Sequence, residues 1–207
     1  MGKLVVVGIT GGVGSGKSTI LTYLKQKHEA DIVMADVVAK QLMEPGGETY
    51  DAILAQFGED LKGPGDKIDK VLLAKRLFEQ GYGTAKINEI VHPAVKKKIS
   101  QKIEQEKLEA IADPSDKVRL LVIEAALFFE AHADELCDEL WFVHADEETR
   151  ISRLMESRSY SREKCVAIMG NQMSEDEFRE RCGFVIENGG EPEEAYAQID
   201  EKILAFA

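Results

Sequence analysis

The chain has 207 residues, 44% of them hydrophobic and 7% aromatic, which is typical of one globular domain or one domain carrying insertions. A chain of this size buries roughly 70% of the surface that it exposes when unfolded, so its core needs neither disulfides nor a structural metal. The 26 basic and 38 acidic residues give a formal net charge of −12 at pH 7. This charge repels nucleic acid and anionic membranes, and we expect neither as a partner.

Five short apolar runs predict the strands of a sheet. They span residues 4–9, 32–34, 120–123, 140–143 and 184–186. Each run is continuously apolar rather than alternating, as in parallel strands that helices cover on both faces. Because longer amphipathic stretches separate these runs, the sequence predicts an α/β fold.

A long insert, residues 37–117, has a helical pattern almost throughout. Proline and glycine interrupt it at 45–47, 63–65 and 113–114, so it predicts several helices rather than one. A helical subdomain at one end of the sheet is the expected result.

A second insert, residues 146–182, is charged and helical, and its arginines would pair with neighbouring glutamates if it were simply a solvated face. These arginines are Arg150, Arg153, Arg158 and Arg162. After it, Pro192 marks the first turn of a closing helix that packs through an apolar stripe. The stripe consists of Ile199, Ile203 and Leu204.

The cysteines and the longest apolar run bear on location. Cys137, Cys165 and Cys182 are widely spaced and form no CxxC pair, which favours reduced thiols. The run 120–129 is interrupted by Glu124 and is about half as long as a membrane span. No targeting segment is visible, so we expect a soluble, cytoplasmic protein.

One motif carries specific chemistry. Residues 11–18 match the pattern GxxxxGK[ST], directly after a predicted strand and before a helical pattern. Glycines let such a loop turn its N–H groups toward a phosphate, while Lys17 reaches the β- and γ-phosphates and the Ser18 hydroxyl ligates Mg²⁺. The loop therefore predicts a site for ATP and Mg²⁺. Its predicted ligands are Gly12, Val13, Gly14, Ser15, Gly16, Lys17, Ser18 and Thr19.

The reaction is less closely defined by the loop alone. The NKxD motif of GTPases is absent from the sequence, which leaves a small kinase or a regulatory nucleotide-binding protein. Asp36 follows the second predicted strand at the carboxyl edge of the sheet, where a kinase would place its general base. It would equally serve as the N-cap of a helix that begins at Val37.

In order and spacing, the motifs resemble those of the dephospho-coenzyme A kinase family over nearly the whole chain. The matching segments are 10–18 for TGG-x-GSGKS, 34–40 for DADxxAR, 45–46 for its PG turn, 57–58 for FG, 66–70 for DGxIDR, 92–93 for HP, 171–172 for the glutamine at the end of the lid, and 185–189 for VIDNxG. Each segment is short, but together they are specific.

The resemblance implies a nucleoside-monophosphate-kinase-like fold, with a parallel five-stranded sheet in a single domain spanning residues 1–207. Its nucleotide-binding core would comprise residues 1–36, 118–145 and 183–207, with 37–117 as the acceptor-binding subdomain and 146–182 as a lid. The implied reaction is the ATP-dependent phosphorylation of the ribose 3′-hydroxyl of dephospho-coenzyme A. A monomer is favoured. The alternatives are another small-metabolite or nucleotide P-loop kinase and a non-catalytic, regulatory nucleotide-binding module.

The resemblance also implies roles for individual residues. Asp36 would be the base, Arg153 and Arg158 the lid arginines, and Asn188 and Gly189 the adenine contacts. Lys40, Lys70 and His92 would contact the acceptor, although a structural role for His92 is an equal alternative. Glu124 would bind Mg²⁺ or its water, and the alternative is a local hydrogen bond. Three positions depart from the family pattern: Met34 replaces an aspartate, and Lys40 and Lys70 stand where arginine is usual. Lysine keeps the charge but loses bidentate recognition of anions.

Overall fold

The structure is a computed structural model that describes residues 2–79, 81, 83–115, 117–125, 128–129 and 132–206. Within these residues the chain forms five strands and nine α-helices. The strands are β1 Lys3–Thr10, β2 Asp31–Met34, β3 Val118–Glu124, β4 Glu139–His144 and β5 Phe184–Glu187. The helices are α1 Lys17–Lys27, α2 Ala35–Leu42, α3 Tyr50–Phe57, α4 Lys70–Glu79, α5 Ala85–Ala112, α6 Glu147–Arg158, α7 Arg162–Met169, α8 Glu175–Arg181 and α9 Pro192–Leu204.

The chain divides into two compact units, one formed by Met1–Val33 with Ile103–Ala207 and the other by Met34–Lys102. The first contains a parallel sheet in the order β2-β3-β1-β4-β5, flanked by helices. The predicted α/β fold and its five strands are therefore confirmed. Each observed strand extends the predicted run by at most two residues at either end.

A dry core lies between the sheet and the pair of helices α1 and α9. Its fully or nearly fully buried members are Val5, Val7, Ile9, Ile20, Leu21, Leu24, Ala30, Leu120, Val122, Trp141, Val143, Ile186, Ala195 and Ile199. The predicted stripe on α9 is correct for Ile199 and for Ile203, which packs against this core. It is wrong for Leu204, whose side chain is 75% exposed, because the next residue on a helix is turned by about 100°.

The second unit is helical, as predicted. Helix α3 buries side chains at helical spacing, and α4 buries Leu73 and Leu77, whereas Phe78 of α4 is 85% exposed. The predicted breaks at 45–47, 63–65 and 113–114 all fall outside the α-helices, and the second of them overlaps a short 3-10 helix, Pro64–Asp66. Helix α5 nevertheless continues for 28 residues through Pro93.

The segment 146–182 forms α6, α7 and α8, which confirms its helical character. Polar N-caps start all three: Asp146 accepts from the N–H of Thr149, Ser161 accepts from Lys164, and Ser174 forms a capping box with Glu177. None of the described helices combines the length and apolar character needed to cross a membrane. The three cysteines are free thiols.

Candidate functional site

The first candidate site lies in the loop between β1 and α1. Gly16 is the N-cap of α1 and has φ 90° and ψ 20°, a left-handed conformation that glycine adopts without strain. The Nδ2 atom of Asn188 lies where a β-carbon on Gly16 would be. Lys17 Nζ donates to the carbonyl oxygens of Gly11 at 2.7 Å and Gly12 at 3.4 Å. The lysine is thus held across its own loop.

The backbone donors of this loop are available to an anion. Among the described residues, the N–H groups of Gly14, Gly16 and Ser18 have no hydrogen-bond acceptor. The first turn of α1 contains no acidic side chain, so nothing there opposes the positive end of the helix dipole. The hydroxyl of Ser15 is buried without a partner in the described part of the chain. Open N–H groups at a helix N-terminus suit phosphate, and the loop fits the triphosphate of ATP.

Asn188 supports the loop from the end of β5. Its side chain is buried, and Nδ2 donates to the carbonyl oxygen of Ser15 at 2.7 Å. Its backbone N–H donates to the carbonyl oxygen of His144 at 2.7 Å, which ties this end of β5 to β4. In the structure Asn188 therefore positions the phosphate loop. The adenine contact of Asn188 and Gly189 stays a prediction.

Arg150 of α6 is a site residue that the sequence reasoning missed. Its Nε donates to the carbonyl oxygen of Val13 at 2.9 Å, and its Nη2 donates to Oε1 of Gln172 at 3.2 Å. The side chain is half-buried, and this burial lowers the pKa of the guanidinium, which still keeps its charge at neutral pH. The contact with Val13 joins positions 137 residues apart, so no local pattern predicts it. The sequence signal for Arg150 is its position about one helical turn before Arg153, which puts both arginines on the same face of α6.

Arg153 also reaches the loop, whereas Arg158 does not. Arg153 Nη1 donates to the carbonyl oxygen of Ser15 at 3.4 Å. Arg158 ends α6 with an exposed side chain, whose guanidinium carbon lies 6.0 Å from the ring centroid of Tyr160. The structure thus brings Arg153 to the candidate phosphate site. A nucleotide contact by Arg158 stays a prediction.

The predicted pairing of arginines with glutamates holds for one of the four. Arg162 forms a bidentate pair with Glu148, with distances of 2.9 and 2.5 Å. The pairing is wrong for Arg150 and Arg153, which bind backbone carbonyl oxygens of the phosphate loop instead. A solvated face therefore describes only part of the segment.

Ser18 and Glu124 are the predicted metal ligands. Ser18 lies in the first turn of α1 with an exposed side chain. Glu124 ends β3 with only 9% of its surface exposed, and it is the register partner of Ile9, near the end of β1 that leads into the loop. Hydroxyl and carboxylate oxygens are donors that suit Mg²⁺, which takes one or two protein ligands together with phosphate oxygens. The metal assignment stays a prediction.

Asp36 belongs to the second unit, at the start of α2. The helix begins at Ala35 and its N-cap is Met34, so the alternative in which Asp36 caps a helix from Val37 is wrong. The Asp36 side chain is exposed, and among the described residues of its unit it has no hydrogen bond or ion pair. An exposed carboxylate without partners is free to accept a proton from a bound hydroxyl.

A cavity of about 690 Å³ lies in the same unit. Its wall is mostly apolar, formed by Met43, Ile68, Leu73, Ala74, Leu77 and Ile87, and its charged members are Lys40, Glu44, Lys67 and Lys70. Lys67 is paired with Glu44 at 2.9 Å. Lys40 and Lys70 have no such carboxylate partner among the described residues of this unit. The structure thus brings the two predicted acceptor lysines to one apolar cavity.

His92 lies apart from that lining. It is half-buried on α5, in the turn that contains Pro93 and between the buried side chains of Val91 and Ala94. The acceptor contact of His92 stays a prediction.

Comparisons with known proteins identify relatives over nearly the whole chain. A family model described as dephospho-CoA kinase matches residues 5–194. The dephospho-CoA kinase of Vibrio parahaemolyticus is 32% identical over 205 residues, which cover 98% of this chain and 96% of its own. That of Corynebacterium diphtheriae is 35% identical over 185 residues, covering 89% of this chain and 88% of its own. Among solved structures, TT1252 from Thermus thermophilus has a TM-score of 0.73 at 25% identity and covers 99% of this chain and 98% of its own.

Proposed function

The chain belongs to the dephospho-CoA kinase family, and on that premise we propose that it transfers the γ-phosphoryl group of ATP to the ribose 3′-hydroxyl of dephospho-coenzyme A. The products are ADP and coenzyme A. The observation that carries the proposal is the glycine loop, with its open N–H groups and Lys17 at the N-terminus of α1. Such a loop holds the phosphates of the donor, whichever acceptor is used.

On the nucleotide side, hydrogen-bond donors close to the phosphates bind the nucleotide. The N–H groups of Gly14, Gly16 and Ser18 receive phosphate oxygens, and Lys17 exchanges its carbonyl partners for the β- and γ-phosphates. Arg153 adds charge beside Ser15. When bound by Ser18 and Glu124, Mg²⁺ supplies further neutralisation of the phosphate charge. Because the whole chain carries −12, long-range attraction of an anionic substrate is weak and these local donors must compensate for it.

On the acceptor side, helix α2 aligns three functions along one face. Asp36 and Lys40 lie four residues apart on α2, and Met43, its C-cap, follows three residues later, so the three side chains share one face. Dephospho-coenzyme A has the same order along its length, with the ribose hydroxyl followed by the diphosphate and then a long arm in which methyl and methylene groups alternate with two amides. We assign the hydroxyl to Asp36, the diphosphate to Lys40 and Lys70, and the arm to the apolar cavity.

The chemical step then needs little from the protein beyond placement. Asp36 orients the hydroxyl oxygen and accepts its proton as the oxygen–phosphorus bond forms and ADP leaves. Phosphoryl transfer has a loose transition state, so positioning and charge neutralisation contribute more than early proton removal. We further propose that the segment 146–182 acts as a lid that excludes water, which would otherwise divert ATP to hydrolysis.

The experiment that tests this function is an acceptor panel. Purified protein is incubated with Mg-ATP and dephospho-coenzyme A, AMP, shikimate or gluconate, and the phosphorylated product is identified by mass spectrometry. We expect rapid phosphate gain by dephospho-coenzyme A alone, and no gain when EDTA removes the metal. Preferred turnover of another acceptor would overturn the substrate assignment. Nucleotide binding without phosphorylation of any acceptor would support a non-catalytic module instead.

Location and assembly follow the sequence expectations. We propose a cytoplasmic enzyme, because all three cysteines are free thiols, as in a reducing compartment. We also propose a monomer, which light scattering on the purified protein tests directly. A mass of twice or three times that of one chain would contradict it.

A further inference from the structure

Val13 is the residue of the phosphate loop that the segment 146–182 contacts through both hydrogen bonds and packing. Its N–H donates to Oε1 of Gln172 at 2.9 Å, and its carbonyl oxygen accepts from Nε of Arg150 at 2.9 Å. Its side chain packs against a small apolar cluster whose buried members are Ile151, Leu154 and Cys165. Both backbone groups and the side chain of one loop residue are therefore bound by this segment.

Gln172 occupies an unusual position in this arrangement. Its side-chain oxygen accepts from two donors, the N–H of Val13 at 2.9 Å and Nη2 of Arg150 at 3.2 Å. Both partners are donors, so the amide must present its oxygen rather than its nitrogen to them. An oxygen held by one loop N–H and one guanidinium is bound in the way that nucleotide-binding loops bind a phosphate oxygen.

The surroundings of Gln172 indicate that it is replaceable. It lies between α7 and α8 with an exposed side chain, and its backbone is held separately by a hydrogen bond from its N–H to the carbonyl oxygen of Met169 at 3.1 Å. The neutral amide pairs with the arginine more weakly than a carboxylate or a phosphate would. A charged phosphate oxygen therefore competes successfully for the same two donors.

We propose that Gln172 is a phosphate surrogate, which holds the Val13 N–H and Arg150 in place in the nucleotide-free protein and gives both up to a phosphate oxygen of the bound nucleotide. The inference rests on the proposed function only in that the loop binds ATP. Gln172 acts here as a positioning residue. Its displacement breaks the link between the loop after α7 and the phosphate loop, so nucleotide binding changes how this segment is held.

Three variants separate this role from a structural one. Gln172→Ala removes the surrogate, Gln172→Glu places a permanent negative charge in the same position, and Asn171→Ala is the matched control. Asn171 is the exposed neighbour whose Nδ2 bonds only locally, to the carbonyl oxygen of Ala167 at 2.9 Å. Thermal melts without nucleotide check that all three proteins fold.

The first measurement is nucleotide affinity by calorimetry, with Mg-ADP and with a non-hydrolysable ATP analogue. Loss of a competing hydrogen bond predicts roughly 3- to 10-fold tighter binding for Gln172→Ala. The charge in Gln172→Glu neutralises Arg150 and repels phosphate, so this variant binds at least about tenfold more weakly than wild type. Asn171→Ala binds as wild type does.

The second measurement is hydrogen exchange of the Val13 amide, which does not depend on turnover. In the free protein, exchange of Val13 is faster in Gln172→Ala than in wild type or Asn171→Ala. With nucleotide bound, the three proteins protect Val13 equally, because a phosphate oxygen has replaced the side chain.

The outcomes are distinguishable from failure of the proposed function. If wild-type protein binds no nucleotide, ATP use itself is wrong. If wild type binds nucleotide but Gln172→Ala matches Asn171→Ala in affinity, or Val13 exchange in the free protein is unchanged by the substitution, the surrogate role is overturned while the kinase assignment stands. Wild-type affinity in Gln172→Glu overturns it as well.

Discussion

The guanidinium group of Arg150 occupies the space in which a β-carbon on Gly12 would lie, with Nη2 and the central carbon nearest to it. The φ of Gly12 is not positive, so its backbone conformation does not require glycine. An added β-carbon would instead meet the end of the Arg150 side chain, which bonds to the next residue, Val13. The absence of a side chain at Gly12 therefore leaves room for Arg150 of helix α6 beside the loop.

This relationship predicts the effect of Gly12→Ala. The added methyl displaces the end of the Arg150 side chain and breaks its hydrogen bond to the carbonyl oxygen of Val13. Loss of a hydrogen bond from a charged group costs about 1.5–3 kcal/mol, so we expect nucleotide affinity to fall by about tenfold and the melting temperature to drop. Calorimetry and thermal melts measure the two effects. Gly183→Ala is the matched control, since nothing lies within 4 Å of the corresponding β-carbon. Equal behaviour of the two variants would show that Arg150 yields without consequence.

Lys17 is expected to be essential for transfer but not for folding. In the free protein its ammonium bonds to the carbonyl oxygens of Gly11 and Gly12, two contacts that water can replace. Lys17→Ala therefore abolishes phosphoryl transfer and leaves circular dichroism and melting close to wild type. Lys25→Ala, an exposed lysine in the last turn of the same helix, is the control. Substantial transfer by Lys17→Ala would mean that the triphosphate is oriented differently.

Asp36→Asn tests the general base. The substitution keeps the shape and removes the proton acceptor, so turnover should fall by roughly 10² to 10⁴, with ATP affinity unchanged. Asp51→Asn is a close control because Asp51 is the acidic residue in the first turn of α3, as Asp36 is in α2. Helix-dipole effects are shared by the two variants, whereas loss of turnover is expected only for Asp36. An unchanged rate in Asp36→Asn would remove it from the chemical step.

The features that the sequence predicts correctly are those that depend on local patterns. The run 4–9, the glycine motif after it and the breaks at 45–47 and 63–65 each depend on neighbours in the chain, and all are found in the structure as expected. The helix start at Ala35 rather than Val37 also depends on neighbours, but helix boundaries are the least defined part of such patterns.

Contacts between distant positions could not be read in the same way. Arg150 and Gln172 meet Val13 across 137 and 159 residues, and these contacts exist only after the sheet has placed the loop beside α6. The same holds for Asn188, whose bond to Ser15 spans 173 residues. Family resemblance placed Asn188 at the site but did not indicate that it supports the loop.

Substitutions of the acceptor lysines Lys40 and Lys70 are expected either to raise or to lower the KM for dephospho-coenzyme A, depending on the replacement. Loss of a charge-assisted contact in Lys40→Ala or Lys70→Ala should raise the KM for dephospho-coenzyme A about tenfold, with little change in the KM for ATP. Lys67→Ala should have a smaller effect, because Lys67 is already paired with Glu44. Lys40→Arg and Lys70→Arg restore bidentate recognition and should lower the KM. A rise in the KM for ATP instead would place these lysines with the nucleotide.

Asp146 makes the stability of α6 depend on pH. Hydrogen bonds from the Thr149 side chain and then from its backbone N–H hold the pKa of this carboxyl below its usual range. Because the pKa is lowered in the folded state, the charged cap contributes its full stabilisation at pH values above the ordinary aspartate pKa, about 3.9. This contribution is lost as the pH falls through the lower pKa of the folded state. Asn caps a helix about as well but does not titrate in this range.

The measurement is the melting temperature of wild type and Asp146→Asn between about pH 2 and 7. All other carboxylates are common to the two proteins, so their difference reports the charge of Asp146 at the positive end of the α6 dipole. Wild type should be the more stable protein at pH 6, and the difference should shrink below about pH 4. A difference that stays constant across this range would mean that the cap acts through its hydrogen bonds alone. Since α6 carries Arg150 and Arg153, nucleotide affinity should weaken over the same range of pH in wild type more than in the variant.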